Sequence, residues 1–218
     1  AMHKQLDQYI QKMLPDATTS IQVLPQAPNI QLHLVNPDLQ QRHFDLDDLR
    51  AIWDHTAYWA FCWASGQALS QWIFEHPEEV RGKSILDFGT GSGVVAIAAK
   101  MAGARRVVAC DIDTEALAAT RINAELNKVD IELAGDLFSI NESFDLLIAA
   151  DVLYDRANLP LLTAFKRYAP DILIADSRVK ETELSPYIKF HCTESSTEPD
   201  LDELDEFRYV NFYRNQKA

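Results

Sequence analysis

Glycine is scarce in this chain of 218 residues: there are seven, about half the share of an average protein. That excludes collagen-like and flexible low-complexity states, and it implies that glycine is kept for places where the backbone turns sharply or admits a close neighbour. Cysteine is scarcer still. Cys62, Cys110 and Cys192 form no C-x-x-C pair and leave an odd count, which argues against a disulfide framework and a zinc site. The six histidines make no pair with a carboxylate at ligand spacing, so no metal is expected. No apolar run approaches the roughly 18 to 20 residues that cross a bilayer, and the N-terminal stretch is charged throughout, so no membrane span and a cytoplasmic location are expected. Positive charge is also short. Lys and Arg number 20 against 33 Asp and Glu, and the net charge of -13 has no basic patch to offset it beyond Arg105-Arg106. A phosphate backbone would be repelled, so no nucleic acid partner is expected; a neutral or basic protein is accommodated more easily.

With 47% hydrophobic and 24% charged residues, the composition is that of a folded domain, and the length fits one domain with a modest extension. The spacing of Leu6, Tyr9, Ile10 and Met13 predicts a helix over residues 3–14, stopped by Pro15. Two short alternating runs between residues 15 and 43 predict edge strands or a hairpin. Helices are predicted over 45–53 and 58–76. From residue 82 the pattern becomes regular. Apolar β runs at 84–88, 106–110, 130–133, 144–150 and 172–175 alternate with helical stretches at 94–102, 114–127 and 157–168. Such alternation predicts a mostly parallel sheet covered by helices on both faces. Residues 187–193 and 207–214 then read as two strands without a helix between them, hence an antiparallel hairpin on the sheet edge. The acidic stretch Glu194 to Glu206 reads as its solvated loop or as a docking surface for a basic protein. The extension is expected over 1–57 and the main domain over 58–218.

In an open α/β sheet the ligand sits beyond the carboxyl ends of the strands, in the turn after the first one. Here that turn reads Leu86-Asp87-Phe88-Gly89-Thr90-Gly91-Ser92-Gly93-Val94. The dinucleotide pattern G-x-G-x-x-G fails at Val94, and the phosphate loop fails because no Lys-Ser/Thr pair follows. Asp87 would oppose a pyrophosphate on the helix N-terminus and would suit a cofactor carrying positive charge. Some twenty residues after Gly89, the second strand ends in Asp111-Ile112-Asp113, where an acid can accept from both hydroxyls of a ribose. Asp111 alone does not separate adenosine from nicotinamide cofactors, and such residues also serve simply as turn and cap formers.

Together, Asp87, the G-x-G-x-G spacing and Asp111 resemble the seven-strand, Rossmann-like methyltransferases that use S-adenosylmethionine, and Gly135-Asp136-Leu137 resembles their adenine-contacting turn. Tyr58 to Ser70, Val80 to Ser84, Ala96 to Met101 and Asp151-Val152-Leu153-Tyr154-Asp155 narrow the resemblance to the protein-lysine methyltransferases, nearest to the electron transfer flavoprotein beta-subunit lysine methyltransferase family. It covers about Ile30 to Arg178, with one departure: Trp63-Ala64-Ser65-Gly66 stands where the related pattern has Trp-Pro-Gly-Gly. The resemblance implies cofactor contacts from Asp87, Gly89, Thr90, Gly91 and Gly93, from Asp111 and Ile112, and from Asp136 and Leu137. Trp63, Gly66, Gln67 and Ala150 are implied as further cofactor contacts. Asp151 and Tyr154 are implied as catalytic, in a monomer acting on a lysine of a protein, with the flavoprotein beta subunit as substrate. A ribosomal-protein lysine, a small molecule of nicotinamide type, or cofactor binding without catalysis are the alternatives.

Methyl transfer from a sulfonium moves positive charge to the attacking atom, so the site needs alignment and a negative group near the nucleophile. Asp151 meets that need, although Asp is also a favoured cap for the helix that follows. Tyr154 offers a ring face to a cation or a hydroxyl to orient an amine. Trp59 and Trp63 either cover the site or belong to the core.

Overall fold

The computed structural model describes residues 2–38, 45–201 and 204–216, and these described residues build nine strands and six α-helices. Helix α1 (Met2–Ile10) precedes an antiparallel hairpin of β1 (Thr19–Val23) and β2 (Gln31–Val35). Asp7 fixes the two together, its Oδ1 accepting from the Thr19 amide at 2.7 Å and hydroxyl at 2.8 Å. The helix is shorter than its periodicity predicts because Lys12 and Met13 already bond three residues back, tightening the last turn. Helix α2 (Leu46–Asp54) starts at a capping box of Asp45 and Asp48.

Strands β3 (Ser84–Phe88), β4 (Arg106–Cys110), β5 (Glu132–Ala134), β6 (Leu146–Ala150), β7 (Asp171–Asp176), β8 (Ile188–Glu194) and β9 (Tyr209–Arg214) form one sheet in the order β5-β4-β3-β6-β7-β9-β8. The first five are parallel; β9 is antiparallel to both neighbours. The expected Rossmann-like sheet with its C-terminal hairpin is therefore present, and β9, the later strand, lies inside β8. Strand side chains alternate between two cores. Ile85, Val107, Ala109, Ile148, Leu173 and Ala175 pack with helices α3 (Ala64–Glu75) and α4 (Val94–Met101). Leu86, Val108, Leu147, Ala149, Ile172 and Ile174 pack with Phe165, Tyr168 and Tyr187. Leu24, Ile30, Leu32 and Leu34 of the N-terminal extension enter the first of these cores, so the extension and the sheet share apolar contacts. A third cluster joins Leu6 and Ile10 of α1 to Trp59 and to Ala119 and Ile122 of α5 (Thr114–Leu126).

Two predicted helices are interrupted. The 58–76 helix splits into a 3-10 turn (Tyr58–Ala60) and α3, because the Cys62 N–H and C=O are both taken by the backbone of Glu198, each at 2.8 Å, and cannot join a helical ladder. The 157–168 helix breaks into short pieces, with α6 (Leu161–Ala164) between two 3-10 turns, since Pro160 lacks the N–H a continuous helix would need. The 130–133 strand lies slightly later, at β5.

Candidate functional site

The sheet order reverses at β3, with β4 on one side and β6 on the other, and the crevice beyond their carboxyl ends holds a cavity of about 700 Å3. The glycine loop forms its floor. The amides of Gly89 and Thr90 donate to the Cys110 carbonyl at 2.8 and 3.1 Å, which ties the loop to the end of β4. Gly89 has φ +71, and a Cβ there would lie 2.5 Å from Val152 Cγ1. Gly93, at φ +87, caps α4 and lies so near α5 that a Cβ would come within 2.8 Å of Thr120 Cγ2. Any other residue at either position would combine left-handed strain with a clash.

Six aspartates line the cavity, and three of them, Asp87, Asp111 and Asp151, accept hydrogen bonds from neutral donors and have their pKa raised by burial. Asp87 is buried, its Oδ2 accepting from Thr90 Oγ1 at 2.8 Å; burial pushes its pKa up to about 7 against the opposing Thr90 bond. Asp111 accepts from the Gly91 amide through one oxygen and from the Asp113 amide through the other, both at 3.0 Å, and burial raises it as well. Asp151 follows β6 with φ +56, a left-handed conformation that costs a non-glycine residue about 1 kcal/mol or more. Its Oδ2 accepts from the amides of Ser65 at 2.8 Å and Gly66 at 3.3 Å. Enclosure pushes this carboxyl up to about 7, with the Ser65 bonds lowering it. Asp151 thus caps α3 from across the cavity. The helical turn that follows it is capped by Asp155, which accepts from the Ala157 amide, so the alternative of a local cap falls to Asp155.

Aromatic side chains border the mouth. Tyr154, about half exposed, lies against Tyr58 with ring centroids 5.3 Å apart; Tyr58 meets Trp63 at 6.0 Å, and Trp63 meets Phe61 at 5.3 Å. The Trp63 indole donates to the Tyr58 carbonyl at 2.9 Å. Trp59 is fully buried, edge-on to Tyr9, and belongs to the core while still backing the cavity. Burial raises the Tyr154 phenol to about 12.

Of the residues singled out from sequence, Trp63, Gly66, Asp87, Gly89, Thr90, Gly91, Asp111, Ile112, Asp136, Leu137, Ala150, Asp151 and Tyr154 line the one cavity. Gln67 and Gly93 do not. Gln67 is buried one position further round α3, where its Nε2 donates to the Ser196 carbonyl at 2.8 Å and its Oε1 accepts from the Gln26 amide at 3.1 Å. Thr56, Phe138, Ser177, Arg178 and Thr197 also line the cavity and were not expected. Only Phe138 carried a signal, as the next residue of the Asp136-Leu137 turn. Thr197 shows that the acidic connection between β8 and β9 is more than a solvated loop. Ser195 and Thr197 are buried, and Ser195 Oγ donates to the Ala64 carbonyl at 2.8 Å.

Comparison with known proteins gives the site a family context. A family model described as ribosomal protein L11 methyltransferase (PrmA) matches residues 67–158. The electron transfer flavoprotein beta subunit lysine methyltransferase of Homo sapiens is 37% identical over 180 residues, which cover 78% of this chain and 67% of that protein. The protein of the same name from Rattus norvegicus is 37% identical over 158 residues, 68% of this chain and 60% of the relative. The chain therefore matches about two thirds of the length of these relatives. Among solved structures, a ribosomal protein L11 methylase from Lactobacillus delbrueckii subsp. bulgaricus is 24% identical with a TM-score of 0.55, covering 71% of this chain and 79% of that one. Magnesium protoporphyrin IX methyltransferase from Synechocystis PCC 6803, solved with bound S-adenosylmethionine, is 13% identical with a TM-score of 0.58, covering 100% and 98%. These two speak for the fold.

Proposed function

Because the chain belongs to the electron transfer flavoprotein beta subunit lysine methyltransferases, enzymes that use S-adenosylmethionine, we propose that it methylates lysine side chains of that flavoprotein subunit. The observation that carries this reading is the convergence of Asp87, Asp111, Asp151 and Tyr154 on one cavity at the ends of adjacent parallel strands.

The donor set fits the cofactor. Asp111 uses one lone pair of each oxygen on backbone amides and keeps the others for the two ribose hydroxyls. Ile112 and Phe138, both exposed and both lining the cavity with Asp136 and Leu137, would offer apolar surface to a flat base. Gly91 has φ +55, and a Cβ there would meet no atom within 4 Å. Asp87 and the enclosed end near Gly66 suit the amino-acid end of a cationic cofactor. When bound, the sulfonium supplies an electrophilic methyl group and takes back the electron pair of the broken S–C bond.

The remaining chemistry rests on the chain's own residues. A lysine amine of ordinary pKa near 10.4 must first lose its proton to solvent, which at pH 7.4 costs about 4 kcal/mol. Asp151, with its pKa near 7, is largely ionised just above neutrality and faces the charge that returns to nitrogen as the bond forms. Its two bonds to the α3 amides keep it from turning away. Tyr154 and Tyr58 contribute ring faces to the approaching ammonium and exclude water from one side.

A second reading has support from the L11 methyltransferase match: a lysine of a ribosomal protein as substrate. That match runs from α3 to just past Tyr154, the cofactor half of the site, and so bears on substrate weakly. Incubation with labelled S-adenosylmethionine and purified flavoprotein beta subunit, or ribosomal proteins, followed by peptide mass spectrometry, separates the two. Methylated lysine on the flavoprotein subunit is expected. Labelling of ribosomal protein alone would replace the substrate assignment, and no uptake of S-adenosylhomocysteine by calorimetry would remove the cofactor assignment.

A further inference from the structure

Among the described residues, helix α2 carries an exposed apolar face. None of its nine residues is buried, and Leu46, Leu49 and Trp53, at i, i+3 and i+7, share one face while 81%, 51% and 86% exposed. A tryptophan so exposed, aligned with two leucines, is the kind of patch that marks an interaction site. The helix is firmly built: its capping box closes the first turn, Ile52 packs against the cluster around Leu6 and Trp59, and the Thr56 hydroxyl donates to the Ile52 carbonyl. It ends two residues before Thr56, which lines the cavity together with Tyr58. Its charge is one-sided, with Asp45, Asp47, Asp48 and Asp54 against a single Arg50.

We propose that α2 is a docking surface for the lysine-bearing protein substrate, which it holds through a segment rich in positive charge and apolar side chains beside the target lysine. This rests on the protein-lysine reading above. The apolar stripe supplies contact area, and the acidic flank selects a basic segment and steers it to the mouth.

Rates measured against flavoprotein beta subunit concentration for the wild type, Trp53→Ala, Leu49→Ser and the double variant Asp47→Asn/Asp54→Asn test it. The expected result for Trp53→Ala is a KM raised at least tenfold, kcat within twofold and unchanged S-adenosylhomocysteine affinity by calorimetry; Leu49→Ser should act the same way, and the double variant should flatten the salt dependence of KM. An unchanged KM, a weakened cofactor affinity that would make α2 a cover over the cavity, or a dimer that dissociates in Trp53→Ala at constant KM would each overturn the proposal. Should the wild type fail to methylate the flavoprotein subunit, that substrate assignment falls on its own. Fluorescence anisotropy with a labelled amphipathic peptide of lysine and leucine then decides docking. Binding at least tenfold weaker to Trp53→Ala sustains the proposal, and equal or absent binding defeats it.

Discussion

The two ends of the sheet treat the same carboxyl chemistry in opposite ways. At the amino ends of the strands, Arg106 forks between Glu132 and Glu142, its Nε 2.6 Å from Glu132 Oε2, and the hydrogen bonds from Arg106 hold both acids below the usual carboxylate range. Asp145 accepts from the Ser84 amide at 2.8 Å and is lowered chiefly by that bond. At the carboxyl ends, Asp87, Asp111, Asp151 and Asp176 are all raised, with burial the largest cause in each. Asp176 closes this group from β7, accepting from the Arg178 amide at 2.9 Å and the Val179 amide at 2.7 Å. One end keeps its acids charged at little cost, in water and beside a cation. The other keeps acids whose charge the fold itself disfavours, which is expected where a positively charged ligand is to provide the compensation.

Four substitutions probe this contrast, in descending order of effect. Asp151→Asn keeps the left-handed backbone, which asparagine tolerates, but removes the charge; kcat should fall about 100- to 1000-fold with the melting temperature not lowered. A fall of less than threefold would strip Asp151 of its role. Asp111→Asn should raise the cofactor dissociation constant, measured by calorimetry, about 10- to 100-fold, the worth of roughly one hydrogen bond to a charged acceptor. Asp87→Asn should stabilise the fold by about 1–3 kcal/mol at pH 8 in urea titrations, less than the ~4 kcal/mol that a carboxyl raised to about 7 would forfeit on ionising, because the Thr90 bond weakens. The sign follows from the raised pKa of about 7. Between pH 4 and 7 only the folded state retains the proton, so the wild type loses stability as pH rises through that window, and the gain from Asp87→Asn should vanish toward pH 4. Glu142→Gln, at the opposite end, should cost less than about 1 kcal/mol after allowance for solvent screening and leave turnover unchanged. If Glu142→Gln altered activity as strongly as Asp111→Asn, the division between the two ends would be wrong.

Much of the glycine-loop side of the cavity was legible in the sequence because it is local: a strand, a glycine turn and a helix in immediate succession bring Asp87, Gly89 and Gly91 together without long-range contacts. Asp111 and Asp151 were legible because the carboxyl ends of parallel strands meet at one edge. Gln67 does not line the cavity beside Gly66 because adjacent helical residues point about 100° apart, so a shared motif does not imply a shared face. The interrupted helix around Cys62 could not be foreseen, since its cause lies more than 130 residues away, in the Glu198 backbone. Arg178 and Thr197 reach the cavity from connections whose paths are set by tertiary packing alone.

The position of β9 between β7 and β8 also bears on how the polypeptide is made. Since β8 leaves the ribosome first and, among the described residues, pairs only with β9, it has no ladder to join until Tyr209–Arg214 has been synthesised and threaded inside it. During that interval a strand carrying Ile188 and Phe190 waits with both edges bare, and nascent chains of this protein should lean on chaperones more at this moment than at any earlier one.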